Sequence, residues 1–369
     1  MFYPASLNLQ HRKCLVVGGG IVAERKVVSL LLSGGGVTVI SPEATELLAF
    51  LAQTGQIVWH NRRFATGDTS GYFLVCAATD ETAMNTAVFT EAHKKNRIRL
   101  VNVVDVIPQC TFAAASVVTD GALMLSISTS GKSPATSRRI REYLEEKLGA
   151  NSLYTLGYQN GKPERIPNQR LPYPVYLLLE NRRCAILYRE KTPEIEQRIS
   201  LLRQCSADIV ENPKNVADAF LVITELGNTT HPLTESLAQP DAGTFRTPRL
   251  IIDDNLIIGI SSRNGEGSDD AAKRLQDALA TQFENNGYGA FIKFLGTIRP
   301  AILNAFQTSK ARADFFETLI NYRPQAKTCC LRLTDATCSA ECLFNWIRRG
   351  EVERAKSLVS TFCCSQGVR

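Results

Sequence analysis

The chain has 369 residues, of which 42 are basic and 36 acidic, so its formal net charge is +6 at pH 7. This length exceeds what one hydrophobic core usually supports, and we therefore expect at least two domains. The basic residues are scattered, which argues against binding to nucleic acid through charge alone, whereas a modest positive charge suits a small anionic ligand equally well.

The N-terminus lacks the features of a secretory signal peptide, and no run of eighteen or more apolar residues occurs. A membrane-spanning helix needs about 20 such residues. We therefore expect a cytoplasmic protein with no membrane partner.

The first motif is a strand, a glycine turn and a helix. Cys14–Val17 is a short apolar run typical of a strand buried on both faces, and apolar residues recur at helical spacing over Ile21–Leu32. Between them, Gly18, Gly20 and Ala23 occupy the three small positions of the G-x-G-x-x-G/A fingerprint. A pyrophosphate would lie on the free N–H groups at the helix start, where the helix dipole is positive. Taken alone, the pattern is equally typical of a plain glycine-rich turn.

Three more strand-like runs follow, at Val37–Glu43, Tyr72–Glu81 and Arg99–Asp105. Together they predict a doubly wound βαβ arrangement whose ligand crevice lies beyond the carboxyl ends of the strands. The second strand is expected to end at Ser41, with an acidic residue, Glu43, two positions later than usual. Because no arginine stands there to favour a 2′-phosphate, we predict NAD as the cofactor.

Four segments carry a family resemblance: "GGGIVAERK", "AATDETAMN", "VNVVD" and "LSISTSGKSPATSRRIREYLEEKLG", in that order. Residues 1 to about 150 resemble the N-terminal half of siroheme synthase and its stand-alone relatives, the precorrin-2 dehydrogenase and sirohydrochlorin ferrochelatase family. The resemblance implies a Rossmann domain, a small dimerisation domain and a helical tail. It also implies NAD-dependent oxidation of precorrin-2 to sirohydrochlorin and, in some members, insertion of Fe²⁺ to make siroheme.

The essential carboxylate of the family matches Asp105, the last residue of "VNVVD". Its expected role is acid/base, removing a ring proton as hydride leaves for the nicotinamide. Without the resemblance, a lone Asp after a strand is more often a helix cap or a turn former. The resemblance places the cofactor contacts at the glycine turn and the next two strand ends: Gly18, Gly19, Gly20, Ile21, Val22, Ser41, Pro42, Glu43, Thr79 and Asp80.

The loop "STSGKSP" resembles the segment that joins the two domains in the family. Its hydroxyls and ammonium are expected to meet the carboxylates of the tetrapyrrole substrate: Ser128, Thr129, Ser130, Lys132 and Ser133. The loop is equally typical of a polar turn that caps a helix from Ser137 onward. One departure from the family is "FAAAS", Phe112–Ser116, where a proline is usual.

The second half of the chain repeats the first. Tyr3–Cys14 aligns without gaps with Tyr173–Cys184, "YFLVCAATD" is echoed by "AFLVITELG", and "TDGALMLSISTSG" by "IDDNLIIGISSRNG". We predict a tandem duplication whose second copy runs from about residue 171 to 282.

The second copy lacks the chemistry of the first. Its glycine positions are Tyr188, Arg189 and Glu190, whose side chains would fill the space for a pyrophosphate, and Ala238 falls where Asp105 would be. We therefore expect one dehydrogenase centre per chain, with the second copy as scaffold.

The predicted fold class is α/β: a Rossmann-type doubly wound parallel sheet plus a small α+β dimerisation domain, duplicated in tandem, with a helical C-terminal tail. We predict an NAD-binding domain (1–113), a dimerisation-type domain (114–150), a linker (151–170), a degenerate Rossmann-like domain (171–245), a second dimerisation-type domain (246–282) and a helical domain (283–369). The copies are expected to form a pseudo-dimer within one chain; a homodimer is the alternative.

Six cysteines crowd the C-terminus: Cys329, Cys330, Cys338, Cys342, Cys363 and Cys364. They contain no C-x-x-C pair, and adjacent cysteines rarely both ligate one ion, which favours structural thiols over a metal role such as iron delivery. The histidines are widely separated, at His11, His60, His93 and His231. We therefore predict no constitutive metal site, with Fe²⁺ expected only as a substrate.

Two other functions remain open at this stage. The altered second copy is compatible with a non-catalytic tetrapyrrole carrier or assembly protein, and another NAD-dependent dehydrogenase could use the same fold. The intact glycines of the first copy and Asp105 favour an enzyme.

Overall fold

The computed structural model describes residues 1–104, 106–150, 156–227, 229–263, 268–306, 308–320 and 341–365. The first Rossmann-like unit contains β1 Tyr3–Leu7, β2 Lys13–Val17, α1 Ile21–Leu32, β3 Gly36–Ile40, α2 Glu46–Gln53, β4 Val58–His60, β5 Leu74–Ala77, α3 Thr82–Phe89, a π-helical turn Thr90–Lys95 and β6 Leu100–Val103. Then come β7 Phe112–Ala114, β8 Ser116–Asp120, β9 Leu123–Ser128, α4 Pro134–Leu148, β10 Tyr158–Gln159 and β11 Lys162–Pro163.

The second half begins with β12 Tyr173–Leu177, β13 Arg183–Leu187, α5 Pro193–Gln204, β14 Asp208–Glu211, β15 Leu221–Thr224 and β16 Thr234–Ser236. It continues with β17 Phe245–Arg246, β18 Arg249–Asp253, β19 Leu256–Ser262 and α6 Ser268–Phe283. The tail contains α7 Tyr288–Ala305, α8 Ser309–Ile320, α9 Leu343–Arg348 and α10 Val352–Ser365.

The first parallel sheet has the strand order β4-β3-β2-β5-β6. Successive residues of β2 point to opposite faces: Val16 belongs to the same buried cluster as Val27 of α1, whereas Leu15 belongs to another cluster with Val88 of α3. Both faces are therefore covered by helices, and this explains why the strands are short and almost wholly apolar. The predicted Rossmann-type sheet is confirmed.

A second parallel sheet has the order β14-β13-β15-β16. It matches the first sheet without its outer strand β4. Among the described residues between β15 and β16 there is no helix, whereas α3 lies between β5 and β6 in the first sheet. The second half thus keeps a smaller parallel sheet.

Two further sheets join the halves of the chain, in the orders β17-β1-β12-β7 and β18-β19-β9-β8. In the first, β1 and β12 run antiparallel, with Ala5 opposite Val175. In the second, β9 and β19 run antiparallel, with Ser126 opposite Gly259. Ala5 and Val175 correspond in the gapless alignment, so equivalent residues of the two halves face each other at the centre of this pairing.

The segment that the sequence predicts to be a linker packs against the first unit. Within it, Ile166 is 2% exposed, and the backbone N–H of Gln169, like that of the adjoining Leu171, donates to the carbonyl of Leu32. Isolated apolar residues in a polar stretch carry no periodicity, which is why sequence patterns missed this contact.

The C-terminal helices share a core of their own, which includes Phe291, Leu295, Phe316 and Trp346. The predicted helical C-terminal region is confirmed. Within the described parts of the chain, no helix has the length and apolar character needed to cross a membrane.

Candidate functional site

The glycine turn is closed by backbone atoms of neighbouring strand ends. Gly18 has φ +121°, and a Cβ atom there would lie 2.2 Å from the carbonyl oxygen of Ala78. A Cβ at Gly19 would lie 1.9 Å from the carbonyl oxygen of Glu43. Only glycine fits these two positions, which hold the turn against the loops after β5 and β3.

In front of the turn the space is open. A Cβ at Gly20 would meet no atom within 4 Å. Gly20 is the N-cap of α1, no side chain caps this end of the helix, and Ile21 and Val22 are exposed. The first backbone N–H groups of α1 therefore face an unfilled space where the helix dipole is positive, which suits a pyrophosphate.

The loop after β3 forms one wall. The strand ends at Ile40, one residue before the predicted Ser41. Ser41 is buried, with its N–H donating to the carbonyl of His60 and its carbonyl accepting from Trp59 Nε1 at 3.0 Å. Pro42 and Glu43 are exposed at the surface of this wall.

Two arginines follow β4, close in sequence to this wall. Arg62 pairs with Asp68 at 2.7 Å, and the hydrogen bond from Arg62 lowers the pKa of Asp68. Arg63 pairs with Glu81 at 3.1 Å. Both guanidinium groups thus already have a carboxylate partner.

The loop after β5 forms the opposite wall. Asn85 of α3 accepts from the backbone N–H of Thr79 at 3.1 Å and from its hydroxyl at 2.8 Å, and donates to its carbonyl at 2.8 Å. Asp80 is exposed. The sequence analysis did not name Asn85 as a site residue. Asn85 is the last residue of the segment "AATDETAMN", so the family resemblance of that segment could have identified it.

Asp105 lies outside the described residues. Shortly before it, Asn102 of β6 is buried, accepts from Lys26 Nζ at 2.6 Å and donates to the carbonyl of Phe112 at 3.0 Å. This contact ties α1 to β6 and to the start of β7. Sequence reasoning also missed the pair of Lys26 and Asn102, because the two residues are far apart in the chain.

The predicted substrate loop is largely occupied by internal hydrogen bonds. Ser133 is 1% exposed, and its hydroxyl caps α4 by accepting from the backbone N–H of Thr136. Thr129 Oγ1 accepts from the N–H of Ser133, and Ser128 Oγ from that of Ser130. The helix predicted from Ser137 begins at Pro134, because proline suits the first position of a helix.

Two groups of this loop stand apart from those contacts. Ser130 has φ +49°, and its buried hydroxyl has no hydrogen-bond partner in the described structure. Lys132 is half-buried, and its methylene groups lie beside Gly296 of α7. Helix α7 therefore packs against this loop at Lys132.

The equivalent turn of the second half is filled by the protein itself. The backbone N–H groups of Arg189 and Glu190 both donate to the carboxylate of Glu225. Tyr188 and Lys191 both contact Glu211. The carboxylate of Glu225 thus accepts from the turn amides that an anionic ligand would otherwise contact. The N-terminus of α5 is capped by the side chain of Thr192.

The described part of the chain holds no group of three or more His, Cys, Asp or Glu side chains arranged to bind a metal ion. Cys342 is buried and its sulfur accepts from the backbone N–H of Asn345 at the start of α9. Cys329, Cys330 and Cys338 lie outside the described residues.

Comparisons with known proteins match the N-terminal part. A family model described as NAD(P)-binding matches residues 5–116. Siroheme synthase 1 of Serratia proteamaculans (strain 568) is 41% identical over 150 residues, which are 41% of this chain and 31% of that protein. The siroheme synthase of Photorhabdus laumondii subsp. laumondii is 39% identical over 170 residues, covering 46% of this chain and 36% of that protein.

A solved structure titled "SirC, precorrin-2 dehydrogenase" is 31% identical and covers 38% of this chain and 68% of that chain, with a TM-score of 0.35. The chain spans about a third of the length of the curated relatives it matches. The sequence matches agree with the predicted cofactor, NAD, and with the predicted family. Over its matched N-terminal part, this chain is therefore similar to NAD(P)-binding proteins and to siroheme synthases.

Proposed function

We propose that the chain catalyses the NAD-dependent oxidation of precorrin-2 to sirohydrochlorin. The observation that carries this proposal is the open helix start behind Gly18–Gly20, in a Rossmann sheet whose sequence is related to siroheme synthases. Gly18 and Gly19 shape the turn, and Gly20 leaves room for a ligand to approach the backbone.

When bound, the nicotinamide of NAD accepts a hydride. The chain supplies binding and proton transfer. The backbone N–H groups of Ile21 and Val22 hold the pyrophosphate, Ser41, Pro42 and Glu43 lie along the adenosine side, and Thr79 and Asp80 complete the crevice. Asp105, two residues after the end of β6 in the sequence, is proposed to remove the ring proton of the substrate.

The loop from Ser128 to Ser133 is proposed to hold carboxylates of the tetrapyrrole. Support comes from the unpartnered hydroxyl of Ser130 and from the ammonium of Lys132. The hydroxyls of Ser128, Thr129 and Ser133 have structural partners in the loop, so we assign them to shaping it. Insertion of Fe²⁺ into sirohydrochlorin is proposed as a second activity that uses Asp105 to accept pyrrole protons.

We also propose that the chain is a tandem duplication whose halves form a pseudo-dimer. The pairing of β1 with β12 and of β9 with β19 supports this, since equivalent residues face each other in the first pairing. Light scattering is expected to give a monomer of 40.7 kDa. An obligate dimer joined through first-copy strands of different chains would contradict the pseudo-dimer.

The test is anaerobic incubation with precorrin-2 and NAD⁺, followed by Fe²⁺, with the formation of sirohydrochlorin and siroheme monitored by absorbance. We expect turnover by the wild type, loss of turnover in Asp105→Ala, and normal turnover in the control Asp120→Ala, which changes a carboxylate at the end of β8. Failure of the wild type to yield sirohydrochlorin would eliminate the proposal. Loss of chelation alone in Asp105→Ala would assign that residue to metal insertion only.

A further inference from the structure

A second cavity lies where the halves of the chain meet, and no residue of the glycine turn lines it. Its volume is about 660 Å³. Its walls come from β1, the segment 168–172, the segment 240–249 that includes β17, the end of β19 and the first turns of α6. Cavities of about 300–1,000 Å³ are typical of sites for small molecules.

Charge in this cavity is predominantly positive. The arginines that line it are Arg170, Arg246, Arg249 and Arg263, whereas its acidic residues are Asp241 and Asp269. Arg246 pairs with Asp241, and Arg249 with Asp269, but both carboxylates are more than three-quarters exposed. Because exposed ion pairs contribute little free energy, the carboxylates of a ligand can replace these partners at small cost.

The wall also contains buried hydroxyls. Ser6 of β1 and Ser261 of β19 share a hydrogen bond of 2.5 Å, which joins the two halves at the cavity. Ser33, at the end of α1, is 1% exposed, and its hydroxyl has no hydrogen-bond partner in the described structure. Buried polar atoms almost always have a partner, so this hydroxyl can take one further hydrogen bond, from a polar ligand or from a water molecule.

The alignment of the halves relates this cavity to the proposed substrate loop. Ser261 corresponds to Ser128, and Arg263 to Ser130. In the first half, Lys132 of that loop lies against α7, whereas Ser261, Ser262 and Arg263 line the open cavity. The second half thus presents arginine and serine to an accessible space.

We propose that this cavity is a second tetrapyrrole site, which binds the carboxylate side chains of the substrate or product through Arg246, Arg249 and Arg263. The identity of the ligand rests on the proposed function. Arginine matches carboxylates because its planar fork donates two parallel hydrogen bonds. A tetrapyrrole that carries several carboxylates engages several arginines at once, which an anion with a single carboxylate cannot do.

The test is titration of the full chain with uroporphyrin, an octacarboxylate porphyrin, followed by fluorescence. The double variant Arg246→Gln/Arg263→Gln is compared with Arg165→Gln/Arg183→Gln, which removes the same charge at exposed positions outside the cavity. Loss of two charge-assisted contacts is expected to weaken binding about a hundredfold. The control pair is expected to stay within about twofold of the wild type.

Two further measurements keep the result interpretable. Circular dichroism is expected to be the same for both double variants, and hydrogen exchange in the wild type is expected to show protection of residues 168–172 and 240–249 by uroporphyrin. Equal affinity of the wild type and Arg246→Gln/Arg263→Gln would overturn the proposal, as would displacement of uroporphyrin by an equal concentration of citrate.

Precorrin-2 oxidation is measured on the same preparations. Arginine-dependent binding of uroporphyrin by a chain that does not oxidise precorrin-2 would retain the cavity site and remove the proposed function. If the wild type oxidises precorrin-2 but the arginine variant binds uroporphyrin as tightly as the wild type, the proposed function would stand and the cavity site would be removed.

Discussion

The carboxylate of Glu225 accepts a hydrogen bond from the backbone N–H of Glu190 at 3.3 Å, and a second from that of Arg189. Glu225 aligns with Ala78, whose carbonyl closes the glycine turn of the first half. The second half therefore satisfies the amides of its turn with its own side chain, whereas the first half leaves the corresponding amides open.

This difference predicts the stoichiometry of nucleotide binding. We expect isothermal titration calorimetry to show one NAD per chain. Glu225→Ala is expected to leave that number at one, because Tyr188, Arg189 and Glu190 still replace the glycines that a pyrophosphate needs. We expect it to lower the free energy of unfolding by about 1 kcal/mol through the lost hydrogen bonds. Two equivalent sites in the wild type would refute this account.

Substitutions at the glycines of the first turn are expected to affect NAD binding and folding stability to different extents. Gly20→Ala adds a methyl group that meets no protein atom, so we expect a cost of about 1 kcal/mol or less in unfolding free energy and at least tenfold weaker NAD binding. In Gly18→Ala the backbone keeps a positive φ, and the added Cβ would lie 2.2 Å from the carbonyl oxygen of Ala78. We expect this variant to lose about 1–3 kcal/mol or more of unfolding free energy.

The matched control is Gly36→Ala, where the added Cβ lies 3.6 Å from the carbonyl of Arg12. Denaturant unfolding and NAD titration are both expected to match the wild type. Normal NAD binding by Gly20→Ala would show that the pyrophosphate does not approach this backbone.

Glu91 predicts a pH-dependent contribution to stability. Burial of the Glu91 carboxylate acts to raise its pKa. Hydrogen bonds from the backbone of Thr69 and Gly67 and from the Thr69 hydroxyl have a larger effect, so the pKa of Glu91 is lowered. A lowered carboxylate pKa stabilises the fold above the unfolded value of about 4.3, and the contribution is lost as pH falls through the folded pKa. We expect Glu91→Gln to cost about 1–3 kcal/mol at pH 7.

Urea unfolding at several pH values checks this. The difference between wild type and Glu91→Gln is expected to shrink as pH falls from about 4.3, the unfolded value, through the lower pKa of the folded state, where the native carboxylate becomes protonated. The control Glu180→Gln, at an exposed position, is expected to change stability by less than about 0.5 kcal/mol at every pH. A difference that is constant with pH would exclude the charge of Glu91 as its cause.

The buried ion pair of Arg198 and Glu235 predicts a large effect on stability. Glu235 is 3% exposed and accepts two hydrogen bonds from the guanidinium and two from Thr247. Glu235→Gln removes the buried counter-charge and leaves the guanidinium only the exposed carboxylate of Glu194 at 3.5 Å, so we expect a cost of about 3–5 kcal/mol. Thermal unfolding measures this loss.

The double variant Arg198→Met/Glu235→Gln serves as the comparison. It leaves no buried charge, so we expect it to recover at least half of the stability lost in Glu235→Gln. In the first half, Lys26 and Asn102 occupy the positions that correspond to Arg198 and Glu235. Their hydrogen bond joins one charged side chain to a neutral one. A double variant no more stable than Glu235→Gln would place the loss in the contacts to Thr247 instead.

Local patterns were sufficient for the elements of the first unit. The predicted helix Ile21–Leu32 has the same bounds in the structure, because apolar residues at helical spacing follow a glycine turn that cannot continue a strand. The second strand ends one residue earlier than predicted, and α4 begins three residues before Ser137, because a cap and a first-turn proline define its start better than apolar spacing does.

The sequence by itself determined the glycine turn, the order of strands and helices that predicts a parallel sheet, and the similarity to siroheme synthases, because each is read from residues close together in the chain. Only the tertiary structure decided that Glu225 closes the second turn, that Asn85 holds Thr79, and that arginines from the linker and the second half surround one cavity. Those relationships join residues that are remote in sequence, and their geometry follows from how whole strands pair and pack rather than from any local periodicity.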